Sequence, residues 1–352
     1  MIYKIFNNVF FTKGFNRTSI YDSLNSNIHF LPNNEYDALA KNNFLIDSIE
    51  KNELFDFLFE RNLLFEYEDA LQSNFPEMNR DIDIPYKIIG CIIFLTDRTS
   101  NDLQILNSSI NNGSIPQFNF IFTKDTTLES LEKLNDFLCQ NEADTIEITF
   151  FDDFIYFEQF LLLIKENRKI FIFNNYSEKT IEDPSTHKNR FDNDLGIKNL
   201  KISTDLLTYF ESSGFNVYYN RKIFIDKDSN IKKALNSDKT YGVLCDFDTA
   251  PLVDVINHSD FQEFWKIKKD DTLVCMDCEF KRICVDNRIP ENSDSNLWYY
   301  NTECDYNPFI SKWNDEDGYL SLEESGVSFE NNAILANENL LGEINDRLWN
   351  VD

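Results

Sequence analysis

Apolar positions change their spacing along the chain, and the changes mark out its parts. Between residues 85 and 226, short apolar runs alternate with stretches of helical spacing. Tyr86–Leu95 (YKIIGCIIFL) is almost continuously apolar, the pattern of a strand buried on both faces. Asp102–Ile110 then reads as a helix, Phe118–Phe122 as a strand, Leu128–Leu138 as a helix, and Ile146–Phe151 as a strand. Phe154–Leu163 is a further helix and Ile170–Phe173 a further strand; Asn174–Arg190 is polar and reads as a loop. Leu200–Ser203 and Leu206–Phe210 close the series as strand and helix. Repeated strand–helix units of this size predict a parallel sheet or an open (β/α) barrel.

The flanking segments follow other patterns. In residues 1–80, Ile2–Phe11 is strand-like, and Thr18–Tyr21 pairs with Asn27–Leu31 around DSLNS as a hairpin. Pro32-Asn33-Asn34 opens a helix containing Glu35–Ala40. Leu45–Ile49 and Glu53–Asn62 continue in helical spacing, with a stripe of Leu54, Phe55, Leu58 and Phe59, before Leu63–Tyr67 returns as a strand. Short helices ahead of a terminal strand resemble a winged helix. Past residue 214, Val217–Tyr219 and Lys222–Ile225 look like short strands and Phe261–Ile267 like a helix. The apolar set Ile334, Leu335, Leu340, Leu341 and Ile344 fits an amphipathic helix docked on the body or on a partner, and equally a solvated tail. The expected division is therefore 1–80, 81–213, 214–313 and 314–352.

The length of 352 residues allows two or three domains. Its 61 acidic and 33 basic residues leave a net charge of −28, which repels phosphate backbones and anionic lipid. Nucleic acid and membrane partners are thereby disfavoured; basic peptides suit the charge, and so does plain solubility. Ten acids and one base, Arg347, fall in residues 314–352, so much of the acidity belongs to the tail. The start MIYKIFNNVFF lacks a long apolar core and a small-residue cleavage site, and no run of about 18 apolar residues occurs, so a cytoplasmic protein is expected.

Seven cysteines are unevenly placed: Cys91, Cys139 and Cys245 stand alone, whereas Cys275, Cys278, Cys284 and Cys304 fall together. The spacing C-x2-C-x5-C-x19-C lets two thiolates from one tight turn reach one metal, with a third a short turn away and a fourth on a returning segment. Four thiolates suit Zn²⁺ or a 4Fe–4S cluster, and spacing does not separate the two. Four free cysteines under a loop is the plain alternative.

VCMDCEFKRICVDNR followed by ECDYNPFISKW resembles the SPASM domain of peptide-maturing radical S-adenosylmethionine enzymes. More narrowly, it resembles the SPASM-domain protein of the grasp-with-spasm systems, which modify ribosomally made peptides. Lys13-Gly14-Phe15-Asn16-Arg17, HFLPNNEYDAL from His29 and LVDVINHSDFQEFW from Leu252 extend the likeness. The resemblance implies an α/β chain of three parts and a tail. These are a winged-helix-like peptide-recognition module, a degenerate partial (β/α) barrel and a SPASM-like Cys-rich metal-binding domain. It further implies that Cys275, Cys278, Cys284 and Cys304 ligate an auxiliary 4Fe–4S cluster, and that the partners are a precursor (leader) peptide and an ATP-grasp ligase.

The chain departs from that family in two places. Where a first auxiliary cluster would need cysteines it reads IKKALNS from Ile231 and Asp286-Asn287-Arg288, and Cys245 is not at a matching spacing. Where the C-x3-C-x2-C triplet should follow the first barrel strand it reads Thr96-Asp97-Arg98-Thr99-Ser100. Without three thiolates to leave one iron open, S-adenosylmethionine chemistry is not expected, and the chain leans away from being an enzyme. His29, His187 and His258 stand apart, Asp152-Asp153 and Asp315-Glu316-Asp317 read as solvated acids or helix starts, and Trp298, Tyr299, Tyr300 and Trp313 as packing around the cysteines.

Overall fold

The computed structural model describes residues 1–47, 53–68, 78–80, 85–108, 115–143, 145–151, 154–165, 170–175, 200–247, 252–292, 297–330 and 333–349. His187, Asp152-Asp153 and most of the expected 174–190 loop lie outside them. Along the chain run β1 (Ile2–Ile5), β2 (Val9–Lys13), β3 (Arg17–Asp22), β4 (Asn27–Pro32), α1 (Asn33–Lys41), β5 (Leu45–Asp47), α2 (Glu53–Glu60) and β6 (Leu64–Glu66). Next come β7 (Gly90–Phe94), α3 (Asp97–Ser108), β8 (Gln117–Phe122), α4 (Leu128–Gln140), β9 (Thr145–Phe150), α5 (Phe157–Ile164) and β10 (Ile170–Asn175). They are followed by β11 (Leu200–Ile202), α6 (Leu206–Glu211), β12 (Lys222–Ile225), β13 (Ile231–Lys232) and α7 (Val253–Ile256). The remainder is β14 (Cys284–Asp286), β15 (Glu291–Asn292), β16 (Trp298–Tyr299), β17 (Tyr306–Asn307), β18 (Lys312–Trp313), β19 (Val327–Glu330), β20 (Ala333–Ala336) and α8 (Glu338–Trp349). The fold is mixed α/β.

The chain forms two compact units. One comprises 83–201 and 216–266 and holds a six-stranded sheet in the order β10-β9-β8-β7-β12-β13. Its first five strands are parallel, and β13 returns antiparallel to β12. Register explains why the apolar runs read as continuous. Ile223, Cys91, Phe118 and Ile146 lie in one cross-strand row, and Ile225, Ile93, Phe120 and Ile148 in the next. All eight are buried in one core with Leu103, Leu134 and Phe137 from the helices. α4 starts on a capping box, with the Thr127 hydroxyl accepting from Ser130 N–H and the Ser130 hydroxyl accepting from Thr127 N–H.

The other unit comprises 1–82, 202–215 and 267–352. The N-terminal and cysteine-rich segments, expected as separate parts, share it. Residues 1–66 build two three-stranded antiparallel sheets, β5-β1-β6 and β2-β3-β4. The hairpin expected around DSLNS is β3–β4, with Asp22 opposite Asn27. Phe55 and Leu58 of α2 bury against Ile5, Ile20 and Leu31. At the other end, α8 lays Leu341 and Ile344 on Phe309, Ile310, Leu322 and Val327. Of the two readings of the tail, the docked amphipathic helix is the one the structure adopts.

Four expectations are corrected. Ile2–Phe11 is two strands, broken by a turn in which Val9 N–H donates to Phe6 C=O. Leu45–Asp47 is a strand on β1, because Asn43 and Phe44 take φ of 53° and 58°, left-handed values that end the helical path. Val217–Tyr219 is a turn, held by Tyr219 N–H to Asn216 C=O and by Tyr218 N–H to the Asn216 side chain. Phe261–Ile267 is a run of turns with mostly three-residue hydrogen bonds, such as Trp265 N–H to Gln262 C=O; the regular helix is the shorter α7.

Candidate functional site

Cys275 opens a single 3-10 turn, Cys275–Asp277, and the Cys278 N–H closes it on the Cys275 carbonyl at 3.1 Å. Val274 before it sits at φ 67°, ψ −49°. A β-branched residue in that region costs on the order of 1–3 kcal/mol, so its surroundings hold it there. After the turn, the Phe280 N–H donates to Cys278 Sγ at 3.4 Å. Cys284 is buried at the start of β14, and Cys304 is half-buried just before β17.

The four expected residues share one neighbourhood. Burial pushes the Cys278 and Cys284 thiols well up, and the field of Cys275 adds to the rise in both. Cys278 feels Cys284, and Cys284 feels Cys304. Cys304 is raised to about 11 by burial, against the opposing pull of Arg288. The donor types suit Zn²⁺ or an iron–sulfur cluster; their positions do not close on one ion. Among the described residues, no three His, Cys, Asp or Glu side chains gather as they would around a metal.

Beside the thiols lies a buried charge network that spacing did not reveal. Asp286, fully enclosed, receives Arg288 Nε at 3.0 Å and Nη2 at 2.8 Å, and Lys269 Nζ binds the same carboxylate. Arg288 Nη1 donates to Thr302 C=O at 2.6 Å and Lys269 Nζ to Tyr300 Oη at 3.0 Å. Both cations lie over the Tyr300 ring, at 4.2 and 4.6 Å from its centroid. Burial alone would raise the Asp286 pKa; Arg288 and Lys269 outweigh it and hold the carboxyl well below the usual range. For Lys269 burial acts downward, and Asp286, Cys275, Tyr300 and Cys284 reverse it. Lys269, Arg288 and Asp286 all lie close enough to the cysteines to act on them, the cations and the carboxylate in opposite senses. Asp286-Asn287-Arg288 therefore does more than mark a missing ligand.

A second network surrounds Cys278 from the other side. Arg17 of β3 binds the Glu279 carboxylate at 2.6 Å, Ser19 Oγ donates to the Glu279 carbonyl at 2.7 Å, and Phe15 N–H donates to Asp277 C=O at 2.7 Å. Tyr306 Oη donates to Glu279 as well, and its ring packs edge-on to Phe280 and beside Trp313. The Lys13–Arg17 motif was visible in the sequence; that it grips the cysteine turn was not.

The remaining candidates are placed apart. Cys91 is buried in β7, and Cys139 and Cys245 are exposed. His29 packs against Phe57, and the His258 carbonyl serves the turns after α7. Glu316 of the acidic trio accepts from Trp313 N–H at 2.8 Å. Where the radical-enzyme triplet would stand, Thr99 Oγ1 donates to Phe94 C=O at 2.7 Å and accepts from Thr96 N–H at 2.8 Å, capping the end of β7 and the start of α3. No helix of the described residues is long and apolar enough to cross a membrane. No family model, no curated protein and no solved structure matches the chain.

Proposed function

We propose that this chain is a maturation factor for a ribosomally made precursor peptide. It binds the peptide and acts with an ATP-grasp ligase, in the cytoplasm and without S-adenosylmethionine chemistry. The observation that carries the reading is that Cys275, Cys278, Cys284 and Cys304, one buried and three half-buried, lie close enough to act on one another, in the segment that resembles a SPASM domain. In this reading the four cysteines hold one 4Fe–4S cluster or Zn²⁺ that stabilises the unit, as structural metals do. The residues 1–80 serve as a winged-helix-like recognition module, where a leader peptide adds a strand to a free sheet edge. The parallel sheet of the other unit stands as a degenerate partial barrel. Thr96 and Thr99, tied into backbone hydrogen bonds, support a structural rather than a cluster-binding end of β7.

Metal analysis and an absorption spectrum of anaerobically purified protein test the cofactor. Co-purification with an ATP-grasp ligase and a precursor peptide tests the function. Capture of neither partner rejects the reading. A metal-stabilised interaction scaffold, or an electron-transfer or modifying enzyme using the one cluster, is the alternative. A redox-active, solvent-exposed cluster would favour the enzyme over both.

A further inference from the structure

We propose that the cavity beside Cys275 and Cys304 receives a basic side chain, Lys or Arg, of a bound polypeptide. This builds on the reading that the chain handles a peptide, and adds a contact in its cysteine-rich part. The cavity measures about 400 Å³ and is walled by Tyr299, Tyr306, Tyr319 and Phe329, and by Tyr300, whose ring already carries Lys269 and Arg288. Asn301, Thr302 and Glu303 on its wall are exposed, and Phe329 is half exposed, so it opens to solvent. Aromatic faces carry negative charge density and attract cations.

Carboxylates reinforce that sign. Glu303 stands on the cavity wall together with Tyr319. Glu303 is exposed and enters no salt bridge among the described residues. Residues 303–330 carry eight acids and one base, Lys312, whose ammonium already lies 4.5 Å over the Trp349 ring. The cation on the cavity wall, Arg288, is committed to Asp286 and Thr302 and does not serve as a receptor for an anion. The aromatic wall and the Glu303 carboxylate thus favour a cation.

A polypeptide is the source favoured by the neighbouring ribbon. Phe329 belongs to β19, which pairs with β20 alone among the described strands. A peptide can lie along such an edge while one side chain enters the cavity.

The experiment is fluorescence anisotropy on the full chain with a fluorescein-labelled decapeptide of alternating Lys and Ser, and a counterpart with Glu for Lys. The Lys peptide should bind saturably and the Glu peptide should not. Tyr319→Ala and Glu303→Gln should each weaken binding about two- to fivefold, while Tyr319→Phe keeps it. Glu303 is exposed, so its variant stays informative if Tyr319→Ala does not fold. Glu60→Gln on α2 should change nothing. Equal binding of both peptides, no binding, indifference to Glu303→Gln and Tyr319→Ala, or displacement by spermidine at equal concentration would overturn the proposal. A precursor captured with the ligase but indifferent to Tyr319→Ala rejects this cavity and leaves the maturation reading intact.

Discussion

Arg17 Nε donates to Glu279 Oε1 at 2.6 Å across 262 residues of sequence, joining β3 to the residue after Cys278. Arg17 Nη2 also reaches Tyr306 Oη at 3.2 Å, and the Glu279 side chain is fully enclosed. Its second oxygen, Oε2, has no hydrogen-bond partner. The ion pair is thus the chief compensation for a buried carboxylate. Removing the cation alone leaves that charge stranded, which typically costs about 3–5 kcal/mol, whereas removing both partners costs far less. Arg17→Met should destabilise by that amount in urea unfolding, and Arg17→Met with Glu279→Leu by clearly less than the sum. Additive losses would mean that the pair is not coupled.

The close approach of Glu279 to the β2–β3 turn leaves little room for a side chain at Gly14. A Cβ there would stand 2.7 Å from the Glu279 backbone nitrogen and 3.0 Å from the Arg17 carbonyl oxygen. Neither is the end of a flexible side chain, so the hairpin must shift, at about 1–3 kcal/mol. Gly214 has nothing within 4 Å of its would-be Cβ. Gly14→Ala should lower the melting temperature, and Gly214→Ala should leave it unchanged or raise it slightly.

The parallel sheet was legible because each strand is buried on both faces and writes its burial into a short local run. Leu45–Asp47 was not legible: it is a strand by virtue of pairing with β1, more than forty residues away, and of two left-handed residues before it. The four cysteines were found from spacing, since one turn fixes the first two. Lys269, Asp286, Arg288 and Glu279 were missed as site residues because isolated charges carry no periodic signal. Their importance comes from burial, which only the folded chain reveals.

The C-terminal segment is anchored through α8. Leu341 and Ile344 are buried on Phe309 and Ile310, Asn345 Nδ2 donates to Phe309 C=O at 3.0 Å, and Trp349 Nε1 to Ile310 C=O at 3.1 Å. Leu341→Ala should cost about 2–4 kcal/mol, the range for opening a cavity under a buried leucine. Truncation after Ala336 should expose Phe309, Ile310 and Leu322 and produce binding of a hydrophobic dye. Unchanged stability in both would show that the helix merely rests on the surface.

Asp226 gives a defined pH response. Burial acts to raise its pKa, but hydrogen bonds from the Asn230 side chain and N–H, from Lys232 and from Asp228 N–H outweigh it. The folded value therefore lies below the unfolded one of about 3.9. Its contribution is fully present above that value and is lost as the pH falls through the folded pKa. Asp226→Asn should cost about 1 kcal/mol near neutrality. The difference from the parent chain should shrink as the pH drops below about 4. A gap that persists in acid would assign the loss to packing.

Thiol reactivity separates the three lone cysteines from the four gathered ones. Cys139 and Cys245 are exposed, whereas Cys91 is enclosed in β7 and burial pushes its thiol well up. Alkylation requires an accessible thiolate, so iodoacetamide should modify Cys139 and Cys245 in the native protein and Cys91 only on unfolding. If Cys275, Cys278, Cys284 and Cys304 hold a metal, they should resist labelling until a chelator removes it, and then react together, since the loss of one ligand frees the rest. Peptide mapping by mass spectrometry reads each site. Labelling of the four at rates indifferent to chelator would reject the metal, and early labelling of Cys91 would contradict the buried row it shares with Phe118 and Ile223.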